Sequence, residues 1–249
     1  MEQLTLDDTQ RLLKIIHNLY TLKNADTFGT DSLSMLEPIV SADAAVAMVF
    51  RADFTELAIQ SLAPDLDRLV QKLMPDLTRY TNQSPFFTNI PAIVKGTHKA
   101  SDFIDFEEFS RREIYTETMK PIGSDDVTML ILLDLESGRW PRPDEPILHY
   151  AFYHPWQKLS DRDRSILNLL QAHLIQAYQT ACEHYLLSQQ VDDLQQSLDR
   201  CGVILVDEIG RVQLMTAQAA WLQLYFTGTH HSSQLPELLQ SWVNIKSID

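Results

Sequence analysis

The chain has 249 residues, of which 45% are hydrophobic and 22% charged, which is the composition of an ordinary globular protein. Its formal net charge of −14 makes the surface repel phosphate backbones, which argues against direct binding of DNA or RNA. No secretory signal pattern opens the sequence, and its longest strongly apolar run, Val127–Leu133, is far shorter than the ~20 residues of a membrane span, so we expect a cytoplasmic protein without membrane contact.

The first third of the sequence predicts two helices followed by a β-hairpin. Apolar residues recur close to a 3.6-residue period over 6–23, which indicates an amphipathic helix. A second helix is predicted at 31–40. AAVAMVFR (44–51) has the pattern of a buried strand, and ELAIQSL (56–62) follows it closely enough to be its hairpin partner.

The next segment combines a helix with proline-marked turns. A helix is predicted over 64–80, and Pro75 inside it should kink the helix or end it near Met74. Residues 82–96 then predict a loop that contains a short strand near 92–94.

Ser110 and Glu113 have the spacing of a capping box, so a further helix is predicted to begin at Ser110 and to close at Gly123. We interpret this helix as scaffold, with an apolar side toward the interior and a charged side that is solvent-facing or locally paired. The i,i+4 pairs of its buried side are Ile114 with Thr118 and Tyr115 with Met119. Its two arginines can reach back to two glutamates, Arg111 and Arg112 to Glu107 and Glu108.

Two further strands, 127–137 and 146–155, precede a helix predicted over 161–199 without an internal glycine or proline. The first of these strands is apolar through its centre, as expected of an inner strand covered on both faces. In the second half of the helix, apolar residues are spaced alternately by four and three, as in the a/d seam of a coiled coil. This spacing predicts a homodimer. The seam residues are Leu187, Val191, Leu194 and Leu198.

The C-terminal part changes character. CGVILVDEIGRVQLMT (201–216) predicts a strand, a turn and a second strand, and two short helices are predicted in the residues that follow. Two strands and two helices are too few for an independent core, so we interpret 201–249 as a partial module.

The sequence contains no motif that carries catalytic chemistry. Nucleotide-binding loops, metalloprotease helices and serine-hydrolase elbows are all missing from it. Cys182 and His184 are close in sequence, but on a helix their side chains point about 200° apart and cannot share a ligand, so we interpret Cys182 as a packing residue. We therefore predict no catalytic residue, no metal site and no enzyme, and the sequence identifies no cofactor.

The predicted element order resembles that of a GAF domain, an antiparallel sheet with its terminal helices on one face and ligand-enclosing elements on the other. Three segments are similar to the sensor regions of LuxR-type transcriptional regulators. They are SDFIDFEEFSRREIYTETMKPIG (101–123), KLSDRDRSILNLLQAHLIQAYQTA (158–181) and CGVILVDEIGRVQLMTAQAAWLQL (201–224). The chain departs from the family pattern at Ala172, where the family has proline, and at Met215-Thr216-Ala217, where it has an asparagine-containing turn.

The resemblance implies an α+β fold in three parts. These are a GAF-like sensor domain at 1–182, a coiled-coil-like linker helix at 183–200 and a partial PAS-like module at 201–249. It also implies a sensory and dimerisation region that transmits ligand or partner binding through the long helix. The regulators continue into a helix-turn-helix domain, whereas this sequence ends at Asp249, so DNA binding is expected only through a domain that this chain does not contain.

Two functions remain open at this stage. A sensor requires an interior cavity for a small molecule, whereas a stand-alone adaptor that binds a regulator or a component of the transcription machinery does not. Aromatic side chains in loops or at strand ends can wall such a cavity, although ordinary edge packing explains them equally well. The predicted pocket residues are Phe86, Phe87, His98, Tyr115 and Trp140.

Overall fold

A computed structural model describes residues 4–51, 57–133, 146–207, 211–216 and 218–219 of the chain. They belong to two compact units, 1–185 and 186–249. Among the helices in this part of the chain, none is both long and apolar enough to cross a membrane. Trp140, the side chain of Leu198 and the segment 220–249, with the helix predictions that fall there, lie outside the described residues.

A five-stranded antiparallel sheet in the order β2-β1-β5-β4-β3 forms the centre of the first unit. Its strands are β1 (Ala44–Arg51), β2 (Leu57–Ser61), β3 (His98–Lys99), β4 (Asp126–Leu132) and β5 (Pro146–His154). The predicted hairpin of β1 and β2 is confirmed, with Met48 opposite Ile59. With the helices that flank it, this sheet confirms the predicted α+β class.

The helices are of two kinds, long helices and helices of about one turn. They are α1 (Leu6–Leu19), α2 (Ala25–Leu36), α3 (Pro64–Arg79), α4 (Ile90–Ile93), α5 (Phe106–Phe109), α6 (Lys120–Ile122) and α7 (Asp161–Cys201). A π-helix, Tyr115–Met119, runs directly into α6. Short 3-10 turns lie at Glu37–Ile39, Thr81–Gln83, Phe87–Asn89 and Ala100–Asp102.

The central strand β5 divides the first unit between two cores. It pairs with β1 along one edge and with β4 along the other. Because successive side chains of a strand point to opposite faces, Leu148 and Tyr150 enter one core while Ile147 and Ala151 enter the other. The sheet is therefore covered on both faces, as its apolar inner strands predicted.

The first core is filled by α1, α2 and the first half of α7. Phe28 of α2 and Leu167 and Leu170 of α7 are fully buried in it. The hydroxyl of Tyr150 forms a 2.6 Å hydrogen bond with the hydroxyl of Ser32, so the one polar atom at the tip of this buried ring is satisfied. This core is closely packed by long helices.

An ionic cluster ties the start of α7 to the start of α1. The guanidinium of Arg162 donates to the carboxylate of Asp8 through Nε at 3.2 Å and to Asp163 through Nη1 at 2.7 Å. Both carboxylates are buried, and the hydrogen bond from Arg162 holds the pKa of Asp8 well below its usual range. Thr5 completes the cluster, because its hydroxyl accepts the Asp8 N–H and caps α1.

The second core lies on the opposite face, under α3, the short elements between 81 and 94, α5 and the π-helix. Its buried side chains include Val70, Phe86, Ile93 and Phe109. All of these covering elements except α3 are a turn or two long, so this face is covered by many short segments rather than by continuous helices.

Several predicted helix ends are wrong. α2 begins at Ala25, earlier than predicted, because the side chain of Asn24 accepts the N–H of Asp26 and caps the helix there. For α3 the predicted range of 64–80 is confirmed, and only the alternative of an end near Met74 is wrong, because the helix continues through Pro75 to Arg79. Apolar side chains of α3 pack against the second core on both sides of the proline, and that packing outweighs the one backbone hydrogen bond that proline removes.

The strand predicted near 92–94 is also wrong, because residues 90–93 form the short helix α4. Pro91 lies in the first turn of α4, where its missing N–H would have had no helical partner. The nearby strand is β3, at His98–Lys99.

The helix predicted to start at Ser110 is capped earlier. Asp105 accepts the N–H of Glu108 at 2.8 Å and caps α5, while Ser110 sits at the end of that helix. Helical structure resumes after Ser110 and closes, as predicted, at Gly123, which has a left-handed φ of 82°. The predicted return of Arg111 and Arg112 to the glutamates four residues before each is confirmed.

In the second unit, the two predicted strands and their pairing are confirmed, while residues 208–210 of the predicted turn lie outside the described residues. β6 (Ile204–Val206) pairs antiparallel with β7 (Val212–Met215), and the register shifts between Leu205 and Val206. The N–H of Val203 donates to the hydroxyl of Thr216 at 3.0 Å, which continues the pairing beyond the strand ends.

Candidate functional site

An apolar cavity lies inside the first unit, between the second face of the sheet and the segments that cover it. Its volume is about 450 Å³, within the range of sites that hold small molecules. The lining comes from β1, β4 and β5, from α3, from the short elements up to Val94, and from the helical segment that ends at Met119.

The floor of the cavity is formed by the central strands, and its arrangement follows from their register. Met48, His149 and Ile131 are cross-strand neighbours and form one row across β1, β5 and β4. In the next row, Ala151 lies opposite Met129. Both residues belong to the cavity lining.

The outer wall is formed by α3 and the turns that follow it. Met74 and Leu77 of α3 line the cavity, and Phe86 closes it from the side with only 3% of its surface exposed. Phe87 and Thr78 also belong to the lining, but both are exposed, so the cavity approaches the surface between α3 and the 3-10 turn.

The π-helix contributes the third wall. Ile114, Thr118 and Met119 line the cavity, and the hydroxyl of Thr118 donates to the carbonyl of Ile114. A π-helix closes its backbone hydrogen bonds between residues i and i+5, one residue further along the chain than an α-helix does. Such single-turn insertions are frequent at functional sites. Gly123 then ends the segment with a backbone conformation that other residues adopt only at a cost.

His149 and Tyr153 of β5 are polar side chains of the cavity floor. His149 is 93% buried, and its Nδ1 has no hydrogen-bond partner among the described residues. Its ring lies against the edge of Phe50, with the ring centroids 5.1 Å apart. Burial lowers the pKa of His149 to about 4, so the imidazole is neutral at physiological pH.

The described lining contains no Asp, Glu, Lys or Arg side chain. Its polar groups are hydroxyls and the one imidazole, and two of those hydroxyls, on Thr81 and Thr118, donate to backbone carbonyls of their own helical segments. A site with this composition selects by shape and apolar contact, since it offers no charge to pair with an ionic ligand.

Two of the five predicted pocket residues lie in this cavity, and two lie elsewhere. Phe86 and Phe87 belong to the lining, whereas His98 and Tyr115 do not. Trp140 lies outside the described residues.

His98 and Tyr115 have structural contacts of their own. The imidazole of His98 lies 3.6 Å from the carboxylate of Asp102 and packs against Phe103. The hydroxyl of Tyr115 donates to Asp125 at 2.9 Å, and burial together with this bond raises the pKa of Tyr115 to about 12. Tyr115 thus closes the core, as its place on the buried side of its helix predicted.

Sequence reasoning missed the floor of the cavity, including His149. The signal was present in PILHYAFYH, where one histidine stands inside an otherwise apolar strand. This histidine could not be assigned to a cavity, because the sequence does not say which face of β5 would be filled by helices and which would be left hollow. Within the described residues, no group of three or more His, Cys, Asp or Glu side chains could hold a metal ion.

His149 should make the stability of the protein depend on pH. Between pH 6.5 and 4 the unfolded chain binds a proton at this histidine while the folded protein does not, so the free energy of unfolding falls as the pH is lowered. The difference in the free energy of unfolding between wild type and His149→Leu should therefore change by roughly 3 kcal/mol from pH 7 to pH 4. Urea unfolding of both proteins from pH 7 to pH 4 measures it, and parallel pH profiles would contradict the burial of a neutral imidazole.

Comparison with known proteins gives likenesses to solved structures. No family model matches the chain, and no curated protein matches it. Among solved structures, the chain is similar to the crystal structure of the VqsR LBD domain from Pseudomonas aeruginosa, at 15% sequence identity and a TM-score of 0.44. The match covers 72% of this chain and 96% of that chain.

Proposed function

We propose that the first unit is the ligand-sensing part of a LuxR-type transcriptional regulator, and that occupation of the cavity is transmitted through α7. The observation that carries this proposal is the apolar cavity of about 450 Å³. The three sequence segments similar to the sensor regions of such regulators support it. Two of them, 101–123 and 158–181, lie in the same unit as the cavity.

The cavity favours a sensor because a packed interior is the normal state of a domain. Protein interiors reach the density of organic crystals, and a large void costs stability in proportion to its volume. A protein that keeps such a void gives up stability, and binding a small molecule is a function that compensates for this loss. A stand-alone adaptor, the alternative function, would have no use for the cavity.

Transmission to α7 has a physical route, although α7 covers the opposite face of the sheet. The side chain of Asn168 accepts the N–H of Thr97 at 2.7 Å, three residues after Val94 of the cavity lining. The side chain of Gln171 donates to the carbonyl of Ile131, another lining residue, at 3.0 Å. Both bonds join a cavity wall to α7, and both are sensitive to small movements of that wall.

A ligand can shift the position of α7 only if it binds one arrangement of the walls more tightly than another. The wall formed by α4 and the turns before it is suited to this, because it consists of short elements rather than one continuous helix. Movement of this wall would change the bond between Thr97 and Asn168 first, and α7 would respond through it.

We also propose that the protein is a homodimer formed through the second half of α7. Three of the four predicted seam residues, Leu187, Val191 and Leu194, are 62%, 59% and 65% exposed. Leucine and valine at a/d spacing on an exposed helix face bury apolar surface only when another helix packs against them.

Filling part of the cavity should weaken the binding of an apolar probe. Ala151→Phe places a ring at the centre of the floor, so the affinity for the fluorescent probe N-phenyl-1-naphthylamine should fall at least about tenfold. Fluorescence titration of the full chain measures the affinity. Ala63→Phe adds the same ring at an exposed position away from the cavity and should bind the probe like wild type. Equal affinities for all three proteins would reject the cavity as the binding site.

Removing the contact between the cavity wall and α7 should separate binding from transmission. Asn168→Ala should bind N-phenyl-1-naphthylamine with nearly wild-type affinity but lose most of the probe-induced change in amide hydrogen exchange over residues 166–185. Gln179→Ala changes an exposed residue of the same helix and should keep that change. A full response in Asn168→Ala would show that the signal takes another route.

Charges in the seam should dissociate the dimer. Val191→Asp combined with Leu194→Asp buries two carboxylates in the proposed interface, so light scattering at tens of micromolar should give a dimer for wild type and a monomer for the variant. Gln189→Asp with Gln196→Asp adds the same charge to the opposite side of the helix and should remain dimeric. A monomeric wild-type protein would contradict the proposal that these residues form a dimer interface.

A further inference from the structure

We propose that the cavity binds a neutral, mainly apolar small molecule with one hydrogen-bond acceptor, and that the hydroxyl of Tyr153 donates to this acceptor. The inference rests on the proposed function, because it names the ligand class of the same cavity. It goes further, because it assigns the residue that recognises the ligand and the chemistry that this residue selects.

The ligand must be neutral because the described lining has no charged side chain to pair with it. An ionised carboxylate or ammonium placed there would lose its hydration without gaining a counter-ion. Most lining side chains are those of Met, Leu, Ile, Val and Phe, so the body of the ligand should be apolar.

Tyr153 lies at one end of the cavity floor. In β5 it points to the same face as His149 and Ala151, because alternate residues of a strand share a face. Its cross-strand neighbours are Ala44 and Val127, whose side chains carry no polar atom. Only 6% of the surface of Tyr153 is exposed, so a ligand group that reaches it has left bulk water behind.

The hydroxyl of Tyr153 is unpartnered, since none of the described residues forms a hydrogen bond with it. Nδ1 of His149 is unpartnered too, but that atom is enclosed by protein, and the Tyr153 oxygen is not among the enclosed unpartnered atoms of the described residues. The hydroxyl therefore keeps accessible surface, and a ligand in the cavity that Tyr153 lines can approach it. Buried tyrosine hydroxyls usually have a partner, and a bound ligand would supply the one that is missing here.

A phenolic hydroxyl in this position selects an acceptor. Burial raises the pKa of Tyr153, so the group stays protonated and neutral at physiological pH. A carbonyl oxygen of the ligand can accept this proton without carrying a charge, whereas an ammonium group has no lone pair to accept it. The ligand should therefore combine an apolar body with an uncharged oxygen of this kind.

The other hydroxyls of the lining are less suited to this role. Those of Thr81 and Thr118 already donate to backbone carbonyls of their own helical segments. Thr78 is exposed and Ser84 is half-buried, and both lie in the wall where the cavity approaches the surface, so water can satisfy their hydroxyls. Among the described lining residues, Tyr153 alone combines deep burial with an unpartnered hydroxyl.

Three probes of nearly the same shape test this inference on the full chain at pH 7.5: 2-acetylnaphthalene, 2-isopropenylnaphthalene and 2-naphthoate. The first has a carbonyl oxygen where the second has a CH₂ group, and the third is a carboxylate. Displacement of N-phenyl-1-naphthylamine measures the affinity for each. Wild type should bind 2-naphthoate more weakly than either neutral probe, because the carboxylate has no counter-ion in the cavity.

Tyr153→Phe removes only the hydroxyl, and no hydrogen bond among the described residues is lost with it, so this variant should fold. The ratio of the 2-acetylnaphthalene affinity to the 2-isopropenylnaphthalene affinity should be about tenfold lower in Tyr153→Phe than in wild type, which is the effect of one hydrogen bond to a buried group. The carbonyl stretching frequency of bound 2-acetylnaphthalene, measured by infrared difference spectroscopy, should be higher in Tyr153→Phe, because the hydrogen bond that weakens the carbonyl bond is gone.

Tyr150→Phe is the matched control, since it makes the same change in the same strand at a residue that faces the opposite core and does not line the cavity. It should keep the wild-type affinity ratio. Ser84→Ala and Thr78→Ala remove the two hydroxyls of the outer wall, and each should keep the ratio as well.

The outcomes separate this inference from the proposed function. If the affinity ratio and the carbonyl frequency are the same in wild type and Tyr153→Phe, the role of Tyr153 is overturned while a ligand-binding cavity stands. A lower ratio in Ser84→Ala or Thr78→Ala, with no change in Tyr153→Phe, would move the recognition group to the outer wall. Tightest binding of 2-naphthoate would overturn the neutral ligand class. If neither N-phenyl-1-naphthylamine nor any of the three probes binds, both the inference and the ligand-sensing function fail.

Discussion

The arrangement of the first unit depends on β5 being paired along both edges and buried on both faces. A strand in this position has no solvent side, so every side chain must be accommodated in one of two cores. Apolar residues meet this constraint by packing. Tyr150 meets it on the helical side through its hydrogen bond with Ser32. His149, one residue earlier and on the other face, has no such partner for Nδ1 among the described residues.

The two cores differ in how completely they are filled, because the helices and turns that cover them differ in length. Long helices present continuous ridges of side chains, and α1, α2 and α7 fill the first face with them. The second face is covered by α3 and a series of short turns and helices, which cannot interdigitate with the sheet along its whole width. The cavity lies between these short elements and the sheet. Such a void lowers stability, which is a common cost where a protein keeps a site for binding.

Polar contacts tie α7 both to α1 and to segments near the hollow face. Arg162 anchors the start of α7 to α1, with Asp8 and Asp163 as its partners. Further along, Asn168 and Gln171 contact backbone atoms near the cavity. The first cluster is ionic and buried and resists movement. The other two contacts are single hydrogen bonds to the cavity walls, so we propose that changes in the cavity reach α7 through them.

The sequence by itself predicted β1, β2, β4, β5 and the course of α7, because periodicity and turn residues are local signals, but it missed β3 and placed a strand where α4 forms. Of the predicted pocket residues, Phe86 and Phe87 line the cavity and His98 and Tyr115 do not, while His149 of the lining was not predicted. Helix ends were decided by caps and by packing that the pattern does not contain. Only the tertiary structure decided which face of β5 would be hollow. That depends on how completely distant segments fill the space above the sheet, and no stretch of sequence carries this information alone.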